Sequence, residues 1–351
     1  MQVYDVAFTT QGWLRPWMAP WYRWDTAWFI LIAHSGYGIA PETVAFAPLY
    51  PLLIRGLAPL VAMDYLAAAL IISNLACIAA LTALHLLIHL DFSQRTADLS
   101  VVLLIGFPAA FFLVAGYAES LFLAFAIGAW LAVRNERYVL AGILGLLASL
   151  SRSQGWVLGL VFGLVLLLKH WRLEEKRLFL PRIIPGLPAI AGPFLGELVY
   201  LVSMDVLGYG NVAAIFQGAY WNVRIQAPWV TIIEVFVKLI QGQFQLFDWI
   251  NVLGFLFGIV VAGAAYRRLK PEYLFFILIS IGFALLRGTP SFVLNGFLRY
   301  TIGFFPIFIG LAILMGSETH PNKAWIWLYL FTGLFLQILF VMFFASWIWV
   351  S

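Results

Sequence analysis

One cysteine, Cys77, in 351 residues leaves no partner for an intrachain disulfide and no thiolate set for a metal, so both are excluded within one chain. Charge is scarce as well. Asp, Glu, Lys and Arg make up 10% of the chain, where soluble domains carry about a quarter. The five histidines, His34, His85, His89, His170 and His320, are scattered without an HExxH pairing, so a protein-ligated zinc site is not expected. There is no GxGxxG, no P-loop and no Gly-x-Ser-x-Gly, which leaves nucleotide-sugar and ATP sites without support. Residues 1–20 lack the apolar core of about 7–15 residues that a secretory signal needs. No internal period stands out, nor the mirrored pair of Gly- and Pro-broken segments common in inverted-repeat transporters.

What the chain does have is apolar length. It is 64% hydrophobic and 17% aromatic, with a mean hydropathy of +0.97, which makes it an all-α polytopic membrane protein. A helix crosses about 30 Å of hydrocarbon with about 20 apolar residues. Candidate spans recur over roughly 64–90, 98–115, 118–133, 138–150, 155–168, 181–204, 249–265, 272–286, 297–315 and 324–349, ten in all. Residues 1–351 read as a single membrane domain. Its first part, 1–62, is an external aromatic and acidic loop whose Pro-rich end, 46–62, is juxtamembrane or re-entrant. A second external loop falls near 205–248, with a short helix over 230–240. The Trp-rich carboxyl end (Trp325, Trp327, Trp347, Trp349) reads as an interfacial belt.

Alternating the spans sorts the Lys and Arg residues into two sets. Twelve of the 20 fall on one side: Arg95, Arg134, Arg137, Lys169, Arg172, Lys176, Arg177, Arg182, Arg267, Arg268, Lys270 and Lys323. That side is expected to be cytoplasmic, so the net charge of +4 reflects topology and not nucleic acid. Asp25, Glu119, Arg152, Arg287 and Arg299 then share the outer face.

The organising stretch is Trp21-Tyr22-Arg23-Trp24-Asp25-Thr26-Ala27-Trp28-Phe29, continued by Ile32-Ala33-His34-Ser35-Gly36-Tyr37 and Phe46-Ala47-Pro48-Leu49-Tyr50-Pro51. It sets one carboxylate among aromatic rings, a composition expected to lie along the membrane surface in short interfacial helices. Asp25 reads as the N-cap of such a helix and as a candidate general base, compatible roles because capping uses one carboxylate oxygen and leaves the other free. Glu119, in Gly116-Tyr117-Ala118-Glu119-Ser120, must sit at a turn, face water or meet a cation, because a charge in mid-membrane costs at least about 2.5–3.5 kcal/mol. Arg152 reads as a snorkelling residue or a ligand-binding one. Arg287 and Arg299 bracket a Gly/Pro/Ser turn, with Tyr300 following, and paired guanidiniums suit phosphate. His34 is either a satisfied interfacial residue or an acceptor contact.

These motifs resemble the PIG-V type mannosyltransferases, the GPI mannosyltransferase II family. The first stretch is similar to W-D-x-x-[WY]-[FY]-x-x-I-A-x-x-G-Y followed by F-x-P-L-Y-P. Phe107-Pro108-Ala109-Ala110-Phe111-Phe112, Tyr117-Ala118-Glu119-Ser120-Leu121-Phe122, Ser151-Arg152-Ser153-Gln154-Gly155 and Leu298-Arg299-Tyr300 resemble later elements in the same order, with Phe107 where the pattern favours Asn. The resemblance implies a GT-C multi-helix membrane enzyme that takes its sugar from a polyprenyl-phosphate donor on the external or lumenal face, and it gives catalytic importance to Asp25. The expected reaction is an inverting transfer of mannose to a glycan or glycolipid acceptor. Arg23, Trp24, Trp28, His34, Tyr50, Glu119, Arg152, Arg287, Arg299 and Tyr300 are the candidate substrate contacts, and membrane lipid is the surrounding partner. No cofactor is expected, and dependence on a divalent metal is left open. Enzymes of this kind normally carry a transmembrane helix ahead of the acidic loop, whereas here the loop begins within 25 residues of Met1. The alternatives are a carrier or flippase for lipid-linked sugars, which would show charges deep within spans, and a non-catalytic partner subunit.

Overall fold

The computed structural model describes residues 14–171, 183–316 and 322–350; Arg172, Lys176, Arg177, Arg182 and His320 lie outside them. Among the described residues there are sixteen α-helices: α1 (Arg15–Met18), α2 (Asp25–Ser35), α3 (Leu49–Leu57), α4 (Tyr65–Asp91), α5 (Gln94–Ile105), α6 (Glu119–Arg134), α7 (Tyr138–Ser151), α8 (Val157–Trp171), α9 (Leu187–Val206), α10 (Val212–Gln217), α11 (Pro228–Ile240), α12 (Leu246–Ala265), α13 (Pro271–Leu285), α14 (Phe297–Gly303), α15 (Pro306–Met315) and α16 (Lys323–Ala345). The described strands are two-residue pieces, β1 (Arg224–Ile225) and β2 (Arg287–Gly288), paired antiparallel with Arg224 opposite Gly288. The protein is all-α and polytopic.

Helix α4 shows how local sequence builds a span. Asp64 caps it by accepting from the Ala67 N–H at 3.0 Å, and 27 largely apolar residues then run about 40 Å, enough to cross the hydrocarbon. Three more described helices are long and apolar enough by the same criteria: Ile184–Val206, which includes α9, then α12 and α16. Helices α14 and α15 meet at 84°, because Pro306 opens α15 without an N–H to continue α14's ladder. Helices α7, α8 and α13 are shorter apolar rods. The run at 98–115 divides into α5 and a 3-10 turn, Ala110–Leu113, with Gly106 and Pro108 between them. Helix α7 packs on α9 with backbones nearly touching. A Cβ added at Gly192 would overlap the Gly142 carbonyl, so only glycine permits the approach.

The amino-terminal aromatic stretch departs from the surface-lying arrangement expected of it. In α2, Thr26 through Ala33 are all buried. The helix is apolar on every side, so no polar face is left to meet water, and it packs inside the bundle between α3 and α4. Part of the carboxyl-terminal belt turns back onto the amino-terminal stretch: Trp347, still exposed, and Trp349 pack edge-on against Trp24, at 5.7 and 5.0 Å between ring centres. Trp325 and Trp327 are exposed, as a lipid-facing belt requires.

The two ends of α6 carry separate ionic clusters. At its last turn Arg134 meets Asp91 at 2.9 Å and Glu272 at 2.6 Å, while Asp91 also takes Lys270 at 2.5 Å and the Tyr273 hydroxyl at 2.7 Å. Sixteen residues of helix, about 24 Å, separate this clamp from Glu119 at the other end.

Candidate active site

The site begins where the start of α2 docks on the turn leading into α6. Gly116 holds φ +78°, with the Thr26 methyl 3.0 Å from where its Cβ would be. Thr26 donates from Oγ1 to the Ala115 carbonyl at 2.9 Å, and the Asp25 N–H donates to the Tyr117 hydroxyl at 3.3 Å. Trp24 sits at φ +51°, ψ −122°, a conformation that costs a bulky residue about 1–3 kcal/mol and that the packing around it must sustain. It turns the chain so that Asp25 becomes the first residue of α2.

Asp25 is therefore not the N-cap. That position belongs to Trp24, and no side chain caps the helix. The Asp25 carboxylate is committed to Arg299, whose Nη1 donates to Oδ2 at 2.7 Å. Glu119 likewise opens α6 without capping it; the cap position is Ala118. Its Oε1 accepts from Arg152 Nη1, and Arg299 Nε lies 3.3 Å from the same oxygen, near enough for charge attraction but misaligned for a hydrogen bond. Glu119 Oε2 is buried without a partner. Arg152 follows the end of α7 and turns inward to Glu119, so it does not snorkel outward.

Two carboxylates and two guanidiniums thus alternate in a buried relay, Asp25–Arg299–Glu119–Arg152. Arg299 is 8% exposed and lies over the rings of Phe112, Tyr117 and Tyr300 at 5.4–5.7 Å. Its aromatic cage shields the ion pairs from water, where they would be far weaker.

The relay borders a cavity of about 410 Å³, within the range of small-ligand sites. Arg152, Arg287, Arg299 and Tyr300 line it together with Ser153, Trp156, Glu197, Tyr200 and Phe216. Asp25 is not in the wall itself; Arg299 is the residue that joins it to the cavity. Arg287 donates from Nη2 to Ser153 Oγ at 3.3 Å and lies over the Phe283 and Phe216 rings.

Six candidate contacts lie away from the cavity wall: Glu119, held in the relay, and five that are used otherwise. Arg23 donates to the carbonyls of Ala345, Ala19 and Tyr22 and lies 4.5 Å from the Trp347 ring centre, so it fastens the end of α16. Trp24 is spent on Trp347 and Trp349. Trp28 is buried on Phe46 and Trp221. His34, at the far end of α2, is exposed and bonds Ser35 Oγ at 2.8 Å. The Tyr50 hydroxyl is fully buried, donating to the Ala69 carbonyl at 2.9 Å and bonding Ser73 Oγ at 2.6 Å. Glu197, Tyr200, Trp156 and Phe216 went unread in the sequence. Glu197 alone carried a signal, as the one charged residue in the run 187–204. Among the described residues no three His, Cys, Asp or Glu side chains gather as a metal site would need.

Helices of spanning length, a buried acid–arginine relay and a cavity beside it lined by charged and aromatic side chains define a multi-pass membrane protein. The particular likeness is to one family. Residues 7–170 match the family described as Mannosyltransferase (PIG-V), a stretch that carries Asp25, Glu119 and Arg152. GPI mannosyltransferase 2 of Schizosaccharomyces pombe is 28% identical over 294 residues, which is 79% of this chain and 56% of that protein. The chain thus spans about half the length of this curated relative. No solved structure matches it. The motifs read along the sequence and these likenesses agree on the PIG-V type.

Proposed function

We propose that the protein is a membrane mannosyltransferase that moves the sugar, with inversion, from a polyprenyl-phosphate donor to a glycan or glycolipid acceptor at the external or lumenal face. The acceptor hydroxyl attacks the anomeric carbon as Asp25 takes its proton; the bond to the phosphate oxygen breaks, and polyprenyl phosphate leaves as an anion. A leaving group already stable as an anion needs no general acid, so one carboxylate is enough where an inverting hydrolase uses two. Arg152, Arg287 and Arg299 offset the charge that develops on the phosphate. Arg299 has a second task. When donor phosphate enters, its guanidinium turns from Asp25 to the phosphate and frees Oδ2 to act as the base.

The observation that carries this reading is the position of Arg299, holding Asp25 at 2.7 Å while lining the cavity beside Arg152 and Arg287. The likeness to a GPI mannosyltransferase supports mannose as the sugar and a glycolipid as the acceptor. One observation favours the carrier reading: Glu197 lies midway along α9, deep within a helix of spanning length. Purified protein in vesicles, given radiolabelled polyprenyl-phosphate mannose and an alkyl mannoside, separates the two. A new glycosidic bond of opposite anomeric configuration supports transfer. Label that crosses the bilayer with its phosphate bond intact supports a carrier, and neither outcome points to a partner subunit.

A further inference from the structure

The cavity wall carries a carboxylate that the proposed transfer does not use. Glu197 projects from α9 into the wall, and its Oε2 is buried with no hydrogen-bond partner. Its polar neighbours are already engaged. The Tyr200 hydroxyl donates to the Val44 carbonyl, and Arg287 is occupied by Ser153 and two aromatic rings, acting on Glu197 only through longer-range attraction. The other acids of the site, Asp25 and Glu119, are each held by a guanidinium.

A carboxylate with one oxygen buried and without a donor is costly, and a ligand that supplies donors to the group relieves the cost. That ligand is not the phosphate, which a carboxylate repels and which the guanidiniums of Arg152, Arg287 and Arg299 attract. A neutral sugar ring fits. Two neighbouring hydroxyls of one pyranose can donate to the two oxygens of one carboxylate, and the aromatic side chains of Trp156 and Phe216 line the same cavity, apolar surface against which sugar C–H groups can pack.

We propose that Glu197 binds the acceptor sugar through a pair of its ring hydroxyls and so selects a hydroxylated, uncharged pyranose for that subsite. This rests on the transferase reading and extends it beyond residues 7–170, where the family match ends.

The test uses full-length protein in nanodiscs, hexyl α-mannoside and its monodeoxy analogues, with Glu197→Gln and Glu197→Asp as variants. Binding is read from tryptophan fluorescence, which needs no turnover, and transfer from radiolabelled polyprenyl-phosphate mannose. Glu197→Gln should weaken hexyl mannoside binding and raise its KM about tenfold or more, the scale of lost hydrogen bonds to a charged group, with the donor KM unchanged. Removing one particular hydroxyl should cost wild type a similar factor and the variant less than about twofold. Glu197→Asp, which keeps the charge and withdraws the oxygens, should fall between and serves if the glutamine variant does not fold. A donor KM that rises alone, equal hydroxyl penalties in wild type and variant, or no binding to wild type overturns the assignment. Binding that depends on Glu197 without any transfer would instead sink the transferase reading and leave the sugar subsite standing.

Discussion

Replacing Arg299 by Gln tests whether the relay is a balanced ionic unit. In the native protein the formal charges of Asp25, Glu119, Arg152 and Arg299 cancel. The substitution leaves Asp25, its side chain 15% exposed, without its guanidinium, and Glu119, 5% exposed, with Arg152 alone. Breaking a buried pair by removing one partner costs about 3–5 kcal/mol, because the remaining charge stays desolvated. At about 1.4 °C per kcal/mol for a chain of 351 residues, the melting temperature should fall by about 4–7 °C in a detergent or nanodisc thermal melt. Adding Asp25→Asn removes the carboxylate that lost its guanidinium and leaves the Glu119–Arg152 pair intact, so the double variant should regain a large share of that loss, whereas two independent sites would add their penalties. Transfer should stay at least about 100-fold down in both variants, since the guanidinium that meets the phosphate is gone. A single variant that melts within a degree of wild type, or a double variant less stable than the single, would refute the reasoning.

At the far end of α6, Asp91→Asn should lower the melting temperature by a similar amount, again about 3–5 kcal/mol, while leaving both substrate KM values unchanged; a shifted KM would mean the two clusters communicate. Gly192→Leu should abolish recovery of folded protein, seen by size-exclusion chromatography, because its side chain has no room against Gly142.

Some of this was legible in the sequence for clear reasons. Counting charges by side gathered Asp25, Glu119, Arg152, Arg287 and Arg299 in advance, because lone charges beside small residues at helix ends have few places to go in an apolar chain. Which charge meets which was not legible: Asp25 and Arg299 are 274 residues apart, and only the folded α14 brings them together. Burial of α2 was hidden because an aromatic helix at an interface and one inside a bundle have the same composition. Sequence neighbours also misled. Trp24 adjoins Asp25 yet faces the carboxyl terminus, and His34, nine residues on, is about 13 Å farther along the helix. Glu197 escaped notice because its run reads as an ordinary span until α9 is seen to form one wall of a cavity.

The most direct test of the account is mannosyl transfer by Asp25→Asn beside wild type, in nanodiscs, with equal amounts of folded protein and the same radiolabelled donor. The amide keeps the shape and a hydrogen bond to Arg299 but cannot accept the hydroxyl proton. Asp25→Asn should still fold and bind donor, with transfer reduced to background. Transfer by Asp25→Asn at a rate near that of wild type would contradict the account.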